Sequence, residues 1–548
     1  MRVGLGQFNA VVGDLGGNAR RMRQLYAEAV RAGVDLLIFP ELAVCGYPPE
    51  DLLHKHHFLK DCRRTVEKLA AECPDTTVVV GFAEEDSLTC YNSAAVLQGG
   101  RISGIYRKSQ LPNHGVFDER RYFQPGDEPL RLSLGDLHVA ITICFDIWNA
   151  EWLRDFIESI DPVQVILNIS ASPFHTGKNK AREETIGRCA RESGCAIAYC
   201  NLVGGQDELI FDGRSMFAGS DGVVVAKARA FDEDLIIADV TRADDGAVRI
   251  TPMQAAAPQP GDLIDEIYQA LVLGTRDYTR KNGFKKVLLG LSGGIDSSLT
   301  AAIAVAAVGA ENVVGVSMPS QFNSPETISD AEKLAKNLDI EFHTVPIGPV
   351  LEQFQNSLGV VEGWSNEGPA YENLQARIRG CILMSLSNQF GSLVLTTGNK
   401  SETAVGYTTL YGDTAGGFGV IKDVFKTTVY QLAEHVNNIA GREIIPRGVI
   451  MRAPSAELRP NQRDSDSLPD YDLLDKILKG YVEEDRSVVQ LTERGLPMDV
   501  VNAVVRLVDR NEYKRRLSPP GIKITPKAFG KDRRLPITNR YRHSPDAT

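Results

Sequence analysis

The segment Gly290 to Ser298, GLSGGIDSS, constrains the fold of this chain more than any other. It follows the β-rich run KVLLGLS and opens the helix-forming stretch SSLTAAIAVAAVGA, after which NVVGVSM reads as a second strand. Strand, glycine loop, helix and strand make a βαβ unit, which requires a parallel, doubly wound sheet. Loop N–H groups and the helix N-terminus then face an anion, and Gly293 and Gly294 let the backbone come close to it. The expectation is a phosphate-binding loop in an ATP-using enzyme. The lysine of a Walker loop is missing, so γ-phosphate transfer is not the expected chemistry. Taken alone, the same residues also suit a tight Gly-Gly turn capping a buried helix.

The rest of the second half extends this α/β alternation. Ser324 and Pro325 supply an N-cap and first-turn proline, Ile328, Ala331, Leu334, Ala335 and Leu338 keep helical spacing, and IEFHTVPI follows as a strand. The first half repeats short β-rich runs that end in polar residues: DLLIFPE at Glu41, ISGIYRK at Lys108, HVAITIC at Cys144 and VQVILNIS at Ser170. That pattern predicts an α/β layered domain with its chemistry at strand ends. Between the halves, TPMQAAAPQPGD breaks all periodicity, so the expected division is residues 1–250, a linker 251–262, and residues 263–548.

Charge and cysteine usage exclude several classes. With 60 basic and 71 acidic residues the formal charge is -11, so no global positive field draws in nucleic acid or an anionic membrane. Nine cysteines without a CxxC pair argue against a disulfide framework or a structural zinc. The N-terminus enters a strand pattern at once, and the longest apolar run, Leu299 to Gly309, is about half of a membrane span. A soluble, cytoplasmic protein is expected. His54, His56 and His57 in HKHH suit a solvated surface, and so, taken alone, does the basic stretch from Lys523 to His543.

The glycine loop resembles that of the PP-loop ATP pyrophosphatase family, which splits ATP between its α and β phosphates and makes a substrate adenylate. FPELAVCGY with Glu41, YRKSQLPN with Lys108 and ITICFDIW with Cys144 resemble the nitrilase, or carbon-nitrogen hydrolase, superfamily in content and order. That resemblance implies an N-terminal αββα sandwich in which Glu41 is the base, Cys144 the nucleophile and Lys108 the cation that lowers the thiol pKa and steadies the oxyanion. Glu119 matches the superfamily's second glutamate. Cys189, Cys195 and Cys200 lack any motif and are expected in the core.

A nitrilase-like half joined to a PP-loop half resembles the family of glutamine-dependent NAD synthetases over nearly the whole chain. YENLQARIRG, TTGNKSE, GYTTLYGDTAGGF, IKDVFKT and PSAELRPNQRDSDSLPDYDLLD strengthen the match. The resemblance implies ATP binding by Gly290, Leu291, Ser292, Gly293, Gly294, Ile295, Asp296, Ser297 and Thr397. It implies contacts to deamido-NAD from Asn373, Glu402 and Lys527, and Mg2+ on Asp296 and Glu402. Arg377, Lys400, Asp413 and Lys422 would be secondary contacts. His114, Glu119, Ser172 and Lys178 would meet glutamine, although His114 stands where relatives often carry tyrosine, and Phe145 where they often carry glutamate.

The implied reaction has Cys144 release ammonia from glutamine, the second half adenylate deamido-NAD, and ammonia, carried inside the protein, displace AMP to give NAD. A homo-oligomer is the implied assembly. Other PP-loop amidotransferases, a lone amidase with a nucleotide sensor, and an ammonia-using synthetase with a scaffold domain are the alternatives.

Overall fold

The structure, a computed structural model, describes residues 1–243, 247–365 and 367–541. Arg542 and His543 of the basic C-terminal stretch lie outside the described residues. The chain forms two units, Met1–Gly261 and Asp262–Thr548.

In the first unit a seven-stranded sheet runs in the order Val248–Pro252, Asp234–Arg242, Arg2–Gln7, Leu36–Ile38, Thr77–Asp86, Thr89–Gln98, Arg101–Arg107. A six-stranded sheet runs Val224–Lys227, Met216–Ala218, Ala196–Asn201, Val165–Ser170, Leu137–Ile143, Arg131–Leu134. The central strands of both are parallel.

Strand periodicity dictates the layering. Leu36, Ile38 and Val79 point to one face and pack with Val139, Ile141, Val165 and Ile197 of the other sheet. Their chain neighbours Leu37, Val78 and Val80 point the opposite way, onto Met22, Leu25 and Ala29 of the helix Leu15–Arg31 and Val66 and Leu69 of the helix His56–Glu72. Buried on both faces, such strands must be apolar throughout, and each Val, Leu or Ile contributes about 1.5–3 kcal/mol. The result is the αββα sandwich that the resemblance implies. Cys189, Cys195 and Cys200 lie in its core, as expected.

The second unit contains the βαβ unit read from the sequence: Val287–Gly290, helix Ile295–Val308 and Val313–Ser317. Ser324 caps the helix Pro325–Leu338, accepting from the Thr327 N–H. The five-stranded sheet, parallel throughout, is ordered Glu341–Thr344, Val313–Ser317, Val287–Gly290, Leu393–Thr396, Phe418–Gly419. The chain leaves Val287–Gly290 towards one edge and returns on its other side with Leu393–Thr396. That reversal opens a crevice at the carboxyl ends of these two strands, where open α/β sheets bind ligands. Among the described residues no helix is long and apolar enough to cross a membrane.

Candidate active sites

In the first unit, Glu41, Lys108 and Cys144 each follow the end of a strand: Leu36–Ile38, Arg101–Arg107 and Leu137–Ile143. All three side chains are buried. The Lys108 Nζ lies 2.6 Å from Glu41 Oε1 and 2.8 Å from Glu119 Oε1. Glu41 also accepts from Asn92 Nδ2 at 2.7 Å and from the Ala171 N–H at 2.8 Å, which fixes both of its oxygens. Tyr47 donates to Glu119 Oε1 at 2.9 Å. Gly81 allows the Glu41 loop to sit where it does, since a Cβ there would meet Leu42 N at 2.3 Å.

Cys144 sits on a sharp elbow with φ 43°, a left-handed conformation that costs a non-glycine residue roughly 1–2 kcal/mol. Asp146 holds the elbow: its carboxylate accepts from Ile143 N–H (2.8 Å), Gln110 N–H (2.8 Å) and Tyr106 OH (2.7 Å). Burial raises Asp146 to about 6, with those three donors opposing. Sequence reasoning passed over Asp146, as it did Tyr47 and Asn92. The only signal for Asp146 was an acid set inside an apolar run, two residues past the nucleophile.

Lys108 pulls the Cys144 pKa down, as expected, while burial, followed by the charge of Glu41, pushes it up by more. Burial also opposes charge on Lys108, yet Glu119 and Glu41 together hold its pKa above the ordinary lysine value. Glu119 is raised to about 7, by burial first, with Lys108 opposing and Glu41 adding. Burial thus favours the neutral thiol, and a fixed carboxylate in the same buried set is suited to take its proton during attack.

Among the proposed glutamine contacts, Ser172 is buried, its N–H donating to Asn201 Oδ1 at 2.9 Å, while its Oγ faces Arg182 Nη2 at 3.5 Å. Arg182 is in turn held by Asp212 at 2.9 Å. Lys178 opens the helix Lys178–Ser193 and stands 3.9 Å over the Trp148 ring. Burial, with Arg182 adding, lowers its pKa to about 8. The two departures from the resembled pattern meet in space: the His114 and Phe145 rings are 5.5 Å apart.

In the second unit, Gly293 (φ 79°) is required on two counts, because a Cβ there would lie 2.1 Å from Thr327 O. Ser297 Oγ donates to Gly294 O at 3.0 Å, closing the loop, and Arg452 Nη1 donates to Gly293 O at 3.1 Å. A cleft of about 310 Å³ is lined by Gly290 through Ser297, Thr397 and Glu402, and also by Arg379, Tyr407, Asp413, Lys426, Arg452 and Asp464. Thr397 reaches it from Leu393–Thr396, the strand beside the loop strand.

Asp296 and Glu402 converge on one point. The Lys426 ammonium is bonded to Asp296 Oδ2 and lies 3.2 Å from Glu402 Oε1. Asn399 ties the same group together, donating to Asp296 Oδ1 at 2.9 Å while its own oxygen caps the helix Lys400–Val405 by accepting from the Glu402 N–H at 2.9 Å. Burial raises Glu402 to about 8, Lys426 opposing and Asp296 adding. Burial alone would lower Lys426, but Asp296 and Glu402 hold it well up. Two carboxylates that already share one cation are a suitable donor set for Mg2+, which takes one or two carboxylates and completes its shell with water and phosphate oxygens. Lys426 and Asn399 were missed, although Asn-x-x-Glu in TTGNKSE is a capping-box signature.

The remaining sequence candidates scatter. Asn373 Oδ1 accepts from Thr409 Oγ1 at 2.8 Å, and Thr409 lines the cleft. Arg377 Nε donates to Leu410 O at 3.2 Å, and Lys422 Nζ to Pro519 O at 2.5 Å. Asp413 accepts from the Thr409 N–H at 2.6 Å and is raised by burial to about 6. Lys527 is not among the residues lining the cleft; its ammonium pairs with the exposed Asp485. Lys400, read as a secondary substrate contact, is sealed at 0% exposure and paired with Asp423 (2.8 Å) and Glu483 (2.7 Å), so it cannot touch substrate.

A fold with a buried Glu-Lys-Cys set in one unit and a glycine loop at a sheet crevice in the other defines a class, an amide hydrolase joined to an ATP-dependent synthase. The family model described as carbon-nitrogen hydrolase matches residues 2–250, and that described as NAD synthase matches residues 267–518. The chain is 45% identical to the glutamine-dependent NAD(+) synthetase of Thermotoga maritima over 99% of each chain, and 44% identical to that of Aquifex aeolicus over 98% of this chain and 99% of the relative. The solved structure of the Acinetobacter baumannii glutamine-dependent NAD+ synthetase in complex with adenosine diphosphate matches with a TM-score of 0.78, at 42% identity over 98% of both chains. The chain belongs to the glutamine-dependent NAD(+) synthetase family.

Proposed function

We propose that this protein converts deamido-NAD to NAD with ATP, using ammonia it releases from glutamine, with AMP, pyrophosphate and glutamate as co-products. What carries the reading is that one chain holds the Glu41-Lys108-Cys144 set in the unit Met1–Gly261 and the glycine loop in the unit Asp262–Thr548. Neither a lone amidase nor a lone synthetase needs both.

In the hydrolase half, Glu41 takes the thiol proton as Cys144 sulfur attacks the glutamine amide carbon, and returns it to the departing nitrogen. The C–N bond breaks, ammonia leaves, and water then releases glutamate from the thioester. Lys108 and the Phe145 N–H steady the oxyanion. Glu119 and Tyr47 hold the Lys108 end of the site, while Ser172, Lys178 and the edge formed by His114 position glutamine.

In the synthase half, residues 290–297 and Thr397 hold ATP. Asn373, Glu402 and Lys527 hold deamido-NAD, whose nicotinate carboxylate attacks the α phosphorus and expels pyrophosphate; ammonia then displaces AMP. Mg2+ on Asp296 and Glu402, when bound, neutralises phosphate charge. Lys426 stays beside both carboxylates as a second, fixed cation. A cytoplasmic homo-oligomer without nucleic-acid or membrane partners completes the reading. The exposed Val350, Phe354, Met384 and Phe390 of helices Gly348–Leu358 and Pro369–Phe390 support self-association, which sedimentation tests.

The deciding assay supplies deamido-NAD, ATP and Mg2+ with either glutamine or ammonium and follows NAD, AMP and pyrophosphate. NAD from both nitrogen sources with one AMP each is expected; ADP as the product, or no NAD from either source, sinks the reading.

A pH effect follows from Lys178. Its charged form meets the glutamine carboxylate, and with a pKa of about 8 it loses charge as pH rises through that value. The KM for glutamine is expected to climb between pH 7 and 9, towards about tenfold per unit above 8. Ammonium-driven synthesis corrects for changes elsewhere. In Lys178→Met the KM is high already at pH 7 and this rise disappears; an unchanged KM would remove Lys178 from the site.

A further inference from the structure

The side chain that organises the C-terminal segment is Lys400, which no substrate can reach. Its Nζ meets four oxygens: Asp423 Oδ1 at 2.8 Å, Glu483 Oε1 at 2.7 Å, Thr525 Oγ1 at 2.6 Å and the Lys527 carbonyl at 2.9 Å. Asp423 grips the same segment from the other side, accepting from the Ile524 and Thr525 N–H groups at 2.9 and 2.7 Å and from Thr525 Oγ1 at 2.8 Å. Lys523 folds back onto Thr525 O at 2.6 Å and pairs with Asp532. The backbone of residues 524, 525 and 527 and the Thr525 hydroxyl are thus tied to one buried cluster.

That cluster is continuous with the phosphate centre. Lys400 lies between Asn399, bonded to Asp296, and Ser401, whose hydroxyl bonds Asp475 and accepts from the Lys426 N–H at 2.9 Å. Glu402 follows, against the Lys426 ammonium. One short turn, Asn399 to Glu402, thus touches both the Asp296 carboxylate of the phosphate loop and the Lys527 carbonyl.

We infer that Lys400, through Thr525 and the Lys527 carbonyl, is a positioning residue that sets where the Lys527 side chain stands relative to the phosphate loop, and so fixes deamido-NAD without touching it. The inference rests on the reading that Lys527 contacts deamido-NAD. A fully buried charge cluster needs a reason beyond stability, because two carboxylates and an ammonium removed from water contribute little net free energy compared with apolar packing. What they add is a geometry with one solution.

The test uses the full-length enzyme with ammonium as nitrogen source. Thr525→Val keeps shape and all charges and removes only one hydroxyl, which bonds both Lys400 and Asp423; Lys400→Met/Glu483→Gln removes a charge pair together and leaves Asp423 on its Ile524 and Thr525 donors. Both are expected to raise the KM for deamido-NAD by about 5- to 20-fold, with the KM for ATP and the kcat at saturating deamido-NAD unchanged. Lys527→Met alone is expected to raise the same KM by about 10- to 100-fold, and adding Thr525→Val to it should change nothing more, because both act through one contact.

An unchanged KM in Thr525→Val, equal shifts for both substrates, or effects that multiply in the double variant each overturn the inference. If Lys527→Met itself leaves the KM unchanged, the substrate reading of Lys527 is wrong and the inference falls with it. If Lys527→Met acts and the Lys400 and Thr525 variants do not, only the inference fails.

Discussion

Cys144→Ala is expected to lower NAD formation from glutamine by at least about 10³-fold and to leave formation from ammonium untouched. The substitution removes the attacking sulfur and nothing else: the Cys144 side chain is small, and the elbow at φ 43° is held by Asp146 through the Ile143 and Gln110 N–H groups. Alanine tolerates that conformation about as poorly as cysteine, so the loop stays where it is. Glutamate release and NAD formation with each nitrogen source, measured side by side, give the answer. Loss of ammonium-driven synthesis in a folded variant would make Cys144 a structural residue.

Gly293→Ala is expected to do the reverse. The new methyl would stand 2.1 Å from Thr327 O on a residue at φ 79°, so the loop must move by the better part of an ångström. Misplacement on that scale costs about 10²-fold in a positioned reaction, and here it also withdraws the N–H groups that face the phosphates. NAD formation should fall by about 10²-fold or more with either nitrogen source, while uncoupled glutamine hydrolysis persists. Normal synthesis by this variant would mean that phosphate is held elsewhere.

Strand runs, the βαβ unit and the cap at Ser324 were legible because each is local: apolar period, glycine loop and capping chemistry lie within a few residues of one another. Glu41, Lys108 and Cys144 could be picked out because each ends a strand in a recognisable motif. What depended on burial was not legible. An ammonium next to a cysteine reads as an activated thiolate, yet Cys144 is 5% exposed and the cost of burying its charge outweighs Lys108.

Lys400 failed for the same reason. A lysine inside TTGNKSE looks like a cation waiting for phosphate, and only the folded chain shows it enclosed by Asp423, Glu483 and Thr525. Lys426 was hidden differently, since its meeting with Asp296 joins residues far apart in the chain. His114 and Phe145 read as two separate departures until their rings proved to be neighbours, so a change at one alters the packing of the other.

The crevice between Val287–Gly290 and Leu393–Thr396 has a consequence for how the second unit folds. Strands that pair side by side yet are separated by two other strands and several helices of chain can meet only after that intervening chain has largely collapsed. The crevice that lies against the glycine loop therefore depends on a long-range pairing, and ATP, by favouring the state in which that pairing is made, is expected to raise the melting temperature of this unit.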